Sequence, residues 1–463
     1  MNNPPAIATS RRQFLKTTGR LAAASALSGV AIPYVHAAAG DAIQLALVGC
    51  GGRGTGAAKD ALSVKNGPIK LVAMADLFPD RLNSSYRALA QDRAVGSLVE
   101  VPPERKFLDF DAYKHAIDCL KPGDVVLLTT PPAFRWVHFS YAIEKGINVF
   151  MEKPVTVDGP TTRRMLQLAE AAKAKNLKVG VGLMCRHCAA RHALMERMHD
   201  DIGDVLALQC YRMHPAVGTC FEPRKPANVS ENEYQIRNFH SFIWASGGLF
   251  NDFYIHHIDE CCWAKNPAAP TWPVEAQALG GRHYRGDKVD QNFDVYSVEY
   301  TFADGAKLFL NGRTMNGCEE RFCSYALGAK GMAVICANNH SPAHCATYKS
   351  HLQRAEDLIW AFPQPEPNPY QLEWNDLIDA IRNDKPCNEV ARGAQASLVC
   401  NMGRMAAHTG RPVDWDQMLN HPHELAPTAD RLTLSGPAPL LADADGLYPL
   451  PQPGKVIQTE YPV

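Results

Sequence analysis

Two short stretches of this chain carry residue types at spacings that could do chemistry. Gly49-Cys50-Gly51-Gly52-Arg53-Gly54 has the glycine spacing of a turn that cradles a dinucleotide. Far downstream, Asp252-Phe253-Tyr254-Ile255-His256-His257-Ile258-Asp259 sets a carboxylate and an imidazole four residues apart. On a helix, Asp252 and His256 share one face, one turn apart. Asp259 falls on roughly the same face, and His257 points elsewhere. A histidine with a pKa near neutrality can take a hydroxyl proton as hydride leaves. Asp252 would hold that imidazole or bind a neighbouring substrate hydroxyl. Together the two stretches suggest a bound nicotinamide and a proton-transfer group facing one substrate.

The elements that must position these groups are legible nearby. Ile43 to Val48 is a short apolar run with β character, stopped by glycines, and a helical pattern follows from Thr55. In that context Gly49 permits the tight turn, Gly51 lets a pyrophosphate approach the backbone, and Gly54 lets helix and strand pack closely. Gly52 and Arg53 sit where the helix presents unpaired N–H groups to the phosphates. A second strand, Ile69 to Ala75, ends at Asp76, 22 residues beyond Gly54, where a carboxylate would accept hydrogen bonds from an adenosine ribose. A 2′-phosphate would meet like charge there, so NAD is favoured over NADP, with Arg53 able to soften the preference.

The alternation continues. Asp124 to Thr130 reads as a buried strand, followed by a helix from Phe134 to Lys145 with Gly146 at its end. Asn148 to Met151 is another strand, and it delivers Glu152-Lys153-Pro154. A helix over Pro160 to Lys175 leads to a strand at Lys178 to Leu183. Repeated β–α units argue for an α/β domain with a doubly wound parallel sheet. Residues delivered at strand C-terminal ends line its ligand crevice, so Thr130, Glu152 and Lys153 join the candidate site. A partly desolvated lysine near a positive nicotinamide can share a proton with a hydroxyl. Beyond the Asp252 helix, Glu275 to Gly280, Asp294 to Phe302 and Ala306 to Asn311 alternate as antiparallel strands do. Asp287, Asp290, Gln291 and Asn292 form a polar loop that reads as a solvated turn.

Asp76 after the second strand, Glu152-Lys153-Pro154 after the fifth, and the Asp252/His256/Asp259 spacing resemble the glucose–fructose oxidoreductase, inositol dehydrogenase and rhizopine-catabolism (Gfo/Idh/MocA) family. The resemblance spans nearly the whole chain and includes Thr409 to Asp416, similar to the exported branch of that family. It implies a Rossmann domain over residues 40–185, and an α+β domain with a large open sheet over 186–420 that binds substrate and pairs subunits into a dimer or tetramer. A tail over 421–463 would wrap along the surface or a neighbouring subunit. Lys153 would then bond the substrate beside the nicotinamide, with His256 as the base. Arg186 and Tyr211 are further pocket candidates. Where the family has glycine two residues after the first Asp, this chain has Tyr254, which could shape the pocket and leaves the substrate open. The resemblance implies an NAD(P)-dependent oxidoreductase acting on a hydroxyl of a sugar, cyclitol or sugar derivative. A glycosidase working by transient oxidation, elimination and re-reduction would need overlapping residues. A non-catalytic sugar-binding protein is disfavoured by the joint presence of Lys153, Asp252 and His256.

The bulk numbers bound the partners. The chain has 463 residues, enough for two or three domains, and a formal net charge of −1, which offers no electrostatic case for nucleic acid. Ser10-Arg11-Arg12-Gln13-Phe14-Leu15-Lys16, an apolar run and Ala37-Ala38-Ala39 read as a twin-arginine signal peptide over 1–39. That implies contact with the export machinery and a periplasmic or otherwise exported protein that folds first, with cofactor inside. Fourteen cysteines mostly sit in apolar runs, as Cys210, Cys336 and Cys400 do, and read as small hydrophobes. Cys185-Arg186-His187-Cys188 has no second pair at zinc-site distance, so no metal is assigned.

Overall fold

The computed structural model describes residues 42–454 apart from 270, 284 and 285, so the signal peptide expected over 1–39 lies outside the described residues. Two sheets organise the chain. The first carries β1 (Ile43–Val48), β2 (Ile69–Asp76), β3 (Lys106–Leu108), β4 (Val125–Leu128), β5 (Asn148–Met151) and β6 (Val179–Val181). All its pairings are parallel and its order is β3-β2-β1-β4-β5-β6. The chain starts in the middle, winds outward to β3, then crosses back to β4. That reversal opens a crevice beyond the C-terminal ends of β1 and β4. The strands read as unbroken apolar runs because helices cover both faces. They include α1 (Gly52–Leu62), α2 (Arg135–Lys145) and α3 (Gly159–Ala174). Gly146 closes α2 at φ +71°, the left-handed helix end expected there.

The second sheet is larger and mostly antiparallel. Its strands are β7 (Val205–His214), β8 (Glu275–Gly281), β9 (Val295–Thr301), β10 (Lys307–Thr314), β11 (Arg321–Gly328), β12 (Met332–Ala337), β13 (Ala346–Tyr348), β14 (Leu358–Ala361) and β15 (Val413–Asp414). The order is β14-β13-β12-β11-β7-β10-β9-β8-β15, with β7 and β10 parallel. One face is covered by α4 (Gly248–Lys265), the helix of the Asp252 motif, and by α5 (Val390–Thr409). Almost every residue of α4 is buried, polar ones included, because it is sandwiched between the sheet, α5 and the Rossmann domain.

Two segments depart from a linear division of the chain. Helix α6 (Pro369–Arg382), which lies in the stretch assigned to the second domain, returns to the first sheet. Its Trp374, Leu377, Ile378 and Ile381 share a core with Leu45, Leu71 and Phe150, and the Trp374 ring stacks on Phe150 at 4.4 Å. The apolar stripe of α6 needed a face to bury, and the first sheet supplied it. The tail docks on its own chain: Ala426, Ala429, Leu432 and Tyr448 pack with Phe78, Phe134, Phe242 and Trp244 at the edge of the crevice. The fourteen cysteines carry free thiols, and Cys210, Cys336 and Cys400 are buried in the core.

Candidate active site

The glycine turn is built as its spacing demands. Gly49 takes φ +97°, and a Cβ there would lie 2.8 Å from the backbone of Thr129 and Thr130. A Cβ on Gly54 would meet the Gly49 carbonyl oxygen at 2.1 Å, so the close helix–strand approach requires glycine. Gly51 and Gly52 instead face open space. Helix α1 begins at that opening with no side chain capping it and no acid in its first turn. Unpaired N–H groups, an open approach and a positive helix end fit a pyrophosphate.

Asp76 closes the turn from the end of β2. Its Oδ2 accepts the Cys50 N–H at 2.6 Å and its Oδ1 accepts the Phe78 N–H at 2.8 Å. Each oxygen keeps a lone pair for a ribose hydroxyl. Burial raises the carboxyl above its ordinary value, against these two donors. Thr129, the neighbour of the expected Thr130, turns its hydroxyl onto the Gly49 carbonyl. Thr130 lines the same cleft, with its Oγ1 3.1 Å from His138 Nδ1.

Arg53 and Glu152 meet each other rather than both facing the cleft. Arg53 Nε donates to Glu152 Oε1 at 2.6 Å, and its guanidinium lies over the Tyr370 ring. Burial opposes the Arg53 charge, but Glu152 and Glu373 outweigh it and raise its pKa. The Glu152 carboxyl lies so close over Gly182 that a Cβ there would sit 2.7 Å from it. Glu152 therefore braces Arg53 from behind. Engaged by a carboxylate, Arg53 has less to offer a 2′-phosphate.

Lys153, delivered by β5, reaches α4. Its Nζ donates to the Asp252 carbonyl at 2.6 Å and lies 3.3 Å from Asp252 Oδ1. Asp252 does hold an imidazole, but it belongs to His240, whose Nε2 is 3.0 Å from Asp252 Oδ2. The Thr219 N–H donates to His240 Nδ1 at 3.3 Å. That leaves the Nε2 proton to point at the carboxylate. Burial opposes ionisation of Asp252, but Lys153 and His240 overcome it and hold the carboxyl below its usual range. His240 also lines the nucleotide cleft and stacks on Phe253. Sequence reasoning missed it because the contact is made only by the fold.

His256 lies one turn further along α4, buried, with its ring 4.5 Å from that of His340. Burial first, then the charges of Lys153 and Arg212, push its pKa well below the ordinary value. It is therefore a neutral imidazole. His257 turns to the sheet, with Nδ1 2.9 Å from Ser324 Oγ. Asp259 is gripped by Arg186 through two bonds of 2.8 Å, so this pocket candidate is a clamp between elements. Tyr211, on the opposite face of β7 from the site, lies under Arg321. Tyr254 is fully buried against Phe250 and Tyr296. A Cβ on Gly312 would meet its ring at 2.4 Å, so the tyrosine has displaced the side chain from the facing strand. It fills core space, and lies away from the cleft.

The polar loop before β9 proves to be a brace. Asn292 Oδ1 accepts the Leu249 N–H, while its amide donates to the carbonyls of Cys220 and His240. Gln291 accepts the Ile243 N–H. These bonds fix the entry to α4, where Gly247 and Gly248 both take φ +77°.

No protein-family model matches the sequence, and no curated protein matches it. Solved structures do resemble the fold. An aldose–aldose oxidoreductase from Caulobacter crescentus superposes with a TM-score of 0.62 at 16% identity, over 81% of this chain and 100% of that one. A myo-inositol 2-dehydrogenase from Lactobacillus plantarum gives 0.57 at 19%, over 81% and 99%. An NAD-binding protein from Listeria innocua gives 0.56 at 18%, over 82% and 99%. The chain shares with them a Rossmann domain followed by a large, mostly antiparallel sheet.

Proposed function

We propose that the protein is an NAD-dependent oxidoreductase acting on a CH–OH group of a sugar, cyclitol or sugar derivative, of the Gfo/Idh/MocA type. The observation that carries this is the convergence of Lys153, Asp252 and His240 beside a glycine turn shaped for a dinucleotide. The names of the solved neighbours, an aldose–aldose oxidoreductase and inositol dehydrogenases, support the substrate class.

Bound NAD supplies a hydride acceptor at the carbinol carbon. Gly51, Gly52 and the N-terminus of α1 hold its pyrophosphate, and Asp76 its ribose. The Lys153 ammonium, fixed by the carbonyl and carboxylate of Asp252, donates a hydrogen bond to the substrate oxygen. It thereby favours the negative charge that develops as the hydroxyl proton departs. His256, one turn from Asp252, is the imidazole placed to accept that proton, its low basicity in the resting site eased as the developing alkoxide offsets the Lys153 charge that contributes to it. Asp252 holds both Lys153 and His240 in place and balances the added positive charge.

The leader and the nucleotide site together support a further reading. The protein is exported folded, NAD travels inside it, and the cofactor is re-reduced or re-oxidised in place by a second substrate. Free thiols throughout the fold suit folding in a reducing compartment before export. The test is to denature the purified protein and assay the supernatant for nicotinamide. A panel of sugars, cyclitols and nitrophenyl glycosides then follows, with and without a keto acceptor. Retained NAD and acceptor-dependent turnover of a sugar are expected. Aglycone release without net NADH would identify the oxidative glycosidase instead, and absence of nicotinamide would overturn cofactor retention.

A further inference from the structure

The arginines around the site are matched to acceptors, with one exception, the half-buried Arg212. Arg186 grips Asp259, Arg191 Nε donates to Glu260 at 2.7 Å, and Arg53 Nε to Glu152 at 2.6 Å. Arg135 and Arg404 donate to backbone carbonyls. Arg212 on β7 has no carboxylate or carbonyl partner among the described residues. Its guanidinium lies 4.3 Å over the Phe322 ring, and its Nε is buried without a hydrogen bond. A desolvated donor left unpaired costs free energy that a bound acceptor returns.

The surroundings of Arg212 place it in the substrate region. Strand register sets Gly312, Arg212 and Phe322 side by side on the face covered by α4. Phe322 packs on His340 at 4.5 Å, and His340 on His256 at 4.5 Å. Two residues along β7, His214 meets Phe253 at 5.8 Å, and Phe253 stacks on His240 at 5.4 Å. Arg212 therefore lies on the sheet side of the same cluster that holds the proton-transfer groups. Its charge contributes to depressing the His256 pKa. The Lys153 charge is balanced by Asp252, whereas that of Arg212 is unbalanced.

We propose that Arg212 binds a carboxylate carried by the substrate, so that the enzyme acts on an acidic sugar such as a uronate or aldonate. This rests on the oxidoreductase reading. A guanidinium edge matches a carboxylate through two parallel hydrogen bonds. One unbalanced positive charge suits one negative charge. A phosphate dianion would call for a second free cation, and Lys153 is already engaged by Asp252.

The test uses the NAD-loaded protein and matched ligands: glucose, gluconate, glucuronate and glucose 6-phosphate, with the galactose series alongside. Calorimetry reads binding, and steady-state kinetics reads KM. The expected result is a preference of ~10-fold or more for the acid over its neutral parent, as a charge-assisted bidentate pair would give. Arg212→Met should collapse that ratio to near one without altering NAD affinity. Arg212→Lys, a second variant that keeps the charge but loses the fork, should give an intermediate ratio. Equal binding of acid and neutral sugar by the unaltered protein would overturn the proposal, as would an unchanged ratio in folded Arg212→Met or a preference for the phosphate. Acid-selective binding with no reduction of nucleotide by any ligand would leave Arg212 assigned and overturn the oxidoreductase reading.

Discussion

His240 Nε2 lies 3.0 Å from Asp252 Oδ2, so the carboxylate of the Asp–His helix pairs with a histidine from outside that helix. The same carboxylate meets Lys153 through its other oxygen at 3.3 Å. His240 is thus a positioning residue that ties the nucleotide cleft to the proton-transfer helix. Replacing His240 by Ala should lower kcat by ~10- to 100-fold, a part of the usual value of acid–base machinery. His240→Gln, whose amide can still donate to Asp252, should recover part of kcat. A loss confined to KM, or no rescue by Gln, would contradict this role.

Asp252 also predicts an acid-sensitive contribution to stability. Its folded pKa is depressed by Lys153 and His240. The stabilisation is therefore present above the unfolded carboxylate value of ~3.9 and is lost as pH falls through the lower folded value. Asp252→Asn should remove this contribution and leave the Lys153 charge without its counter-ion, although the bond to the main-chain carbonyl stays, a loss of ~3 kcal/mol. Denaturant unfolding at neutral and acid pH measures it. The gap between the two proteins should narrow as the pH falls, and a gap that widened would contradict the assignment.

The two kinds of glycine in the nucleotide turn should separate folding from binding. Gly54→Ala would drive a methyl into the Gly49 carbonyl and should destabilise the Rossmann domain. Gly51→Ala meets nothing in the protein, so it should leave the melting temperature nearly unchanged. It should nonetheless weaken NAD by ~10-fold or more, because its methyl lies in the phosphate approach. Asp76→Ala should weaken NAD and narrow its advantage over NADP, as read by fluorescence titration of both nucleotides.

Tyr254 and Gly312 should behave as a coupled pair. Tyr254→Gly empties core space against β10 and should cost ~3–5 kcal/mol, the range for deleting a buried aromatic ring. Gly312→Ala alone should also destabilise, because its Cβ would overlap the Tyr254 ring. The double variant should be more stable than the sum of the two losses predicts, read by a double-mutant cycle in urea. Additive losses would contradict the packing exchange.

The contrast between these residues shows what sequence made legible. The β1–turn–α1 unit, Asp76 at the end of β2 and the delivery of Lys153 by β5 could be read ahead because they depend on local pattern and strand order; the reach of Lys153 to α4 could not. The Asp252–His256 spacing correctly set both residues on one buried helix, yet the partner of Asp252 was missed. His240 comes from a single 3-10 turn, Phe239–Ser241, held by Asn292 and Gln291 and too short for any periodicity to announce it. Thr129 and Thr130 follow the end of β4, where the chain turns toward Pro131 and strand alternation no longer dictates which side chain meets the glycine turn. Arg186 and Tyr211 were singled out by nearness to the domain boundary. Their placement is decided by Asp259 and Arg321, partners that lie far away in sequence. Helix α6 reads as part of the second domain because its target face belongs to strands hundreds of residues earlier.

The most direct test of the central claim is transfer of deuterium from substrate to cofactor. A sugar labelled at each carbinol carbon in turn is mixed with the NAD-loaded protein, and the nucleotide is recovered and weighed by mass spectrometry. The account predicts label in the nicotinamide from one position only, abolished in Lys153→Met although NAD stays bound. Unlabelled nucleotide across a panel of neutral and acidic sugars, with NAD shown to be bound, would contradict it.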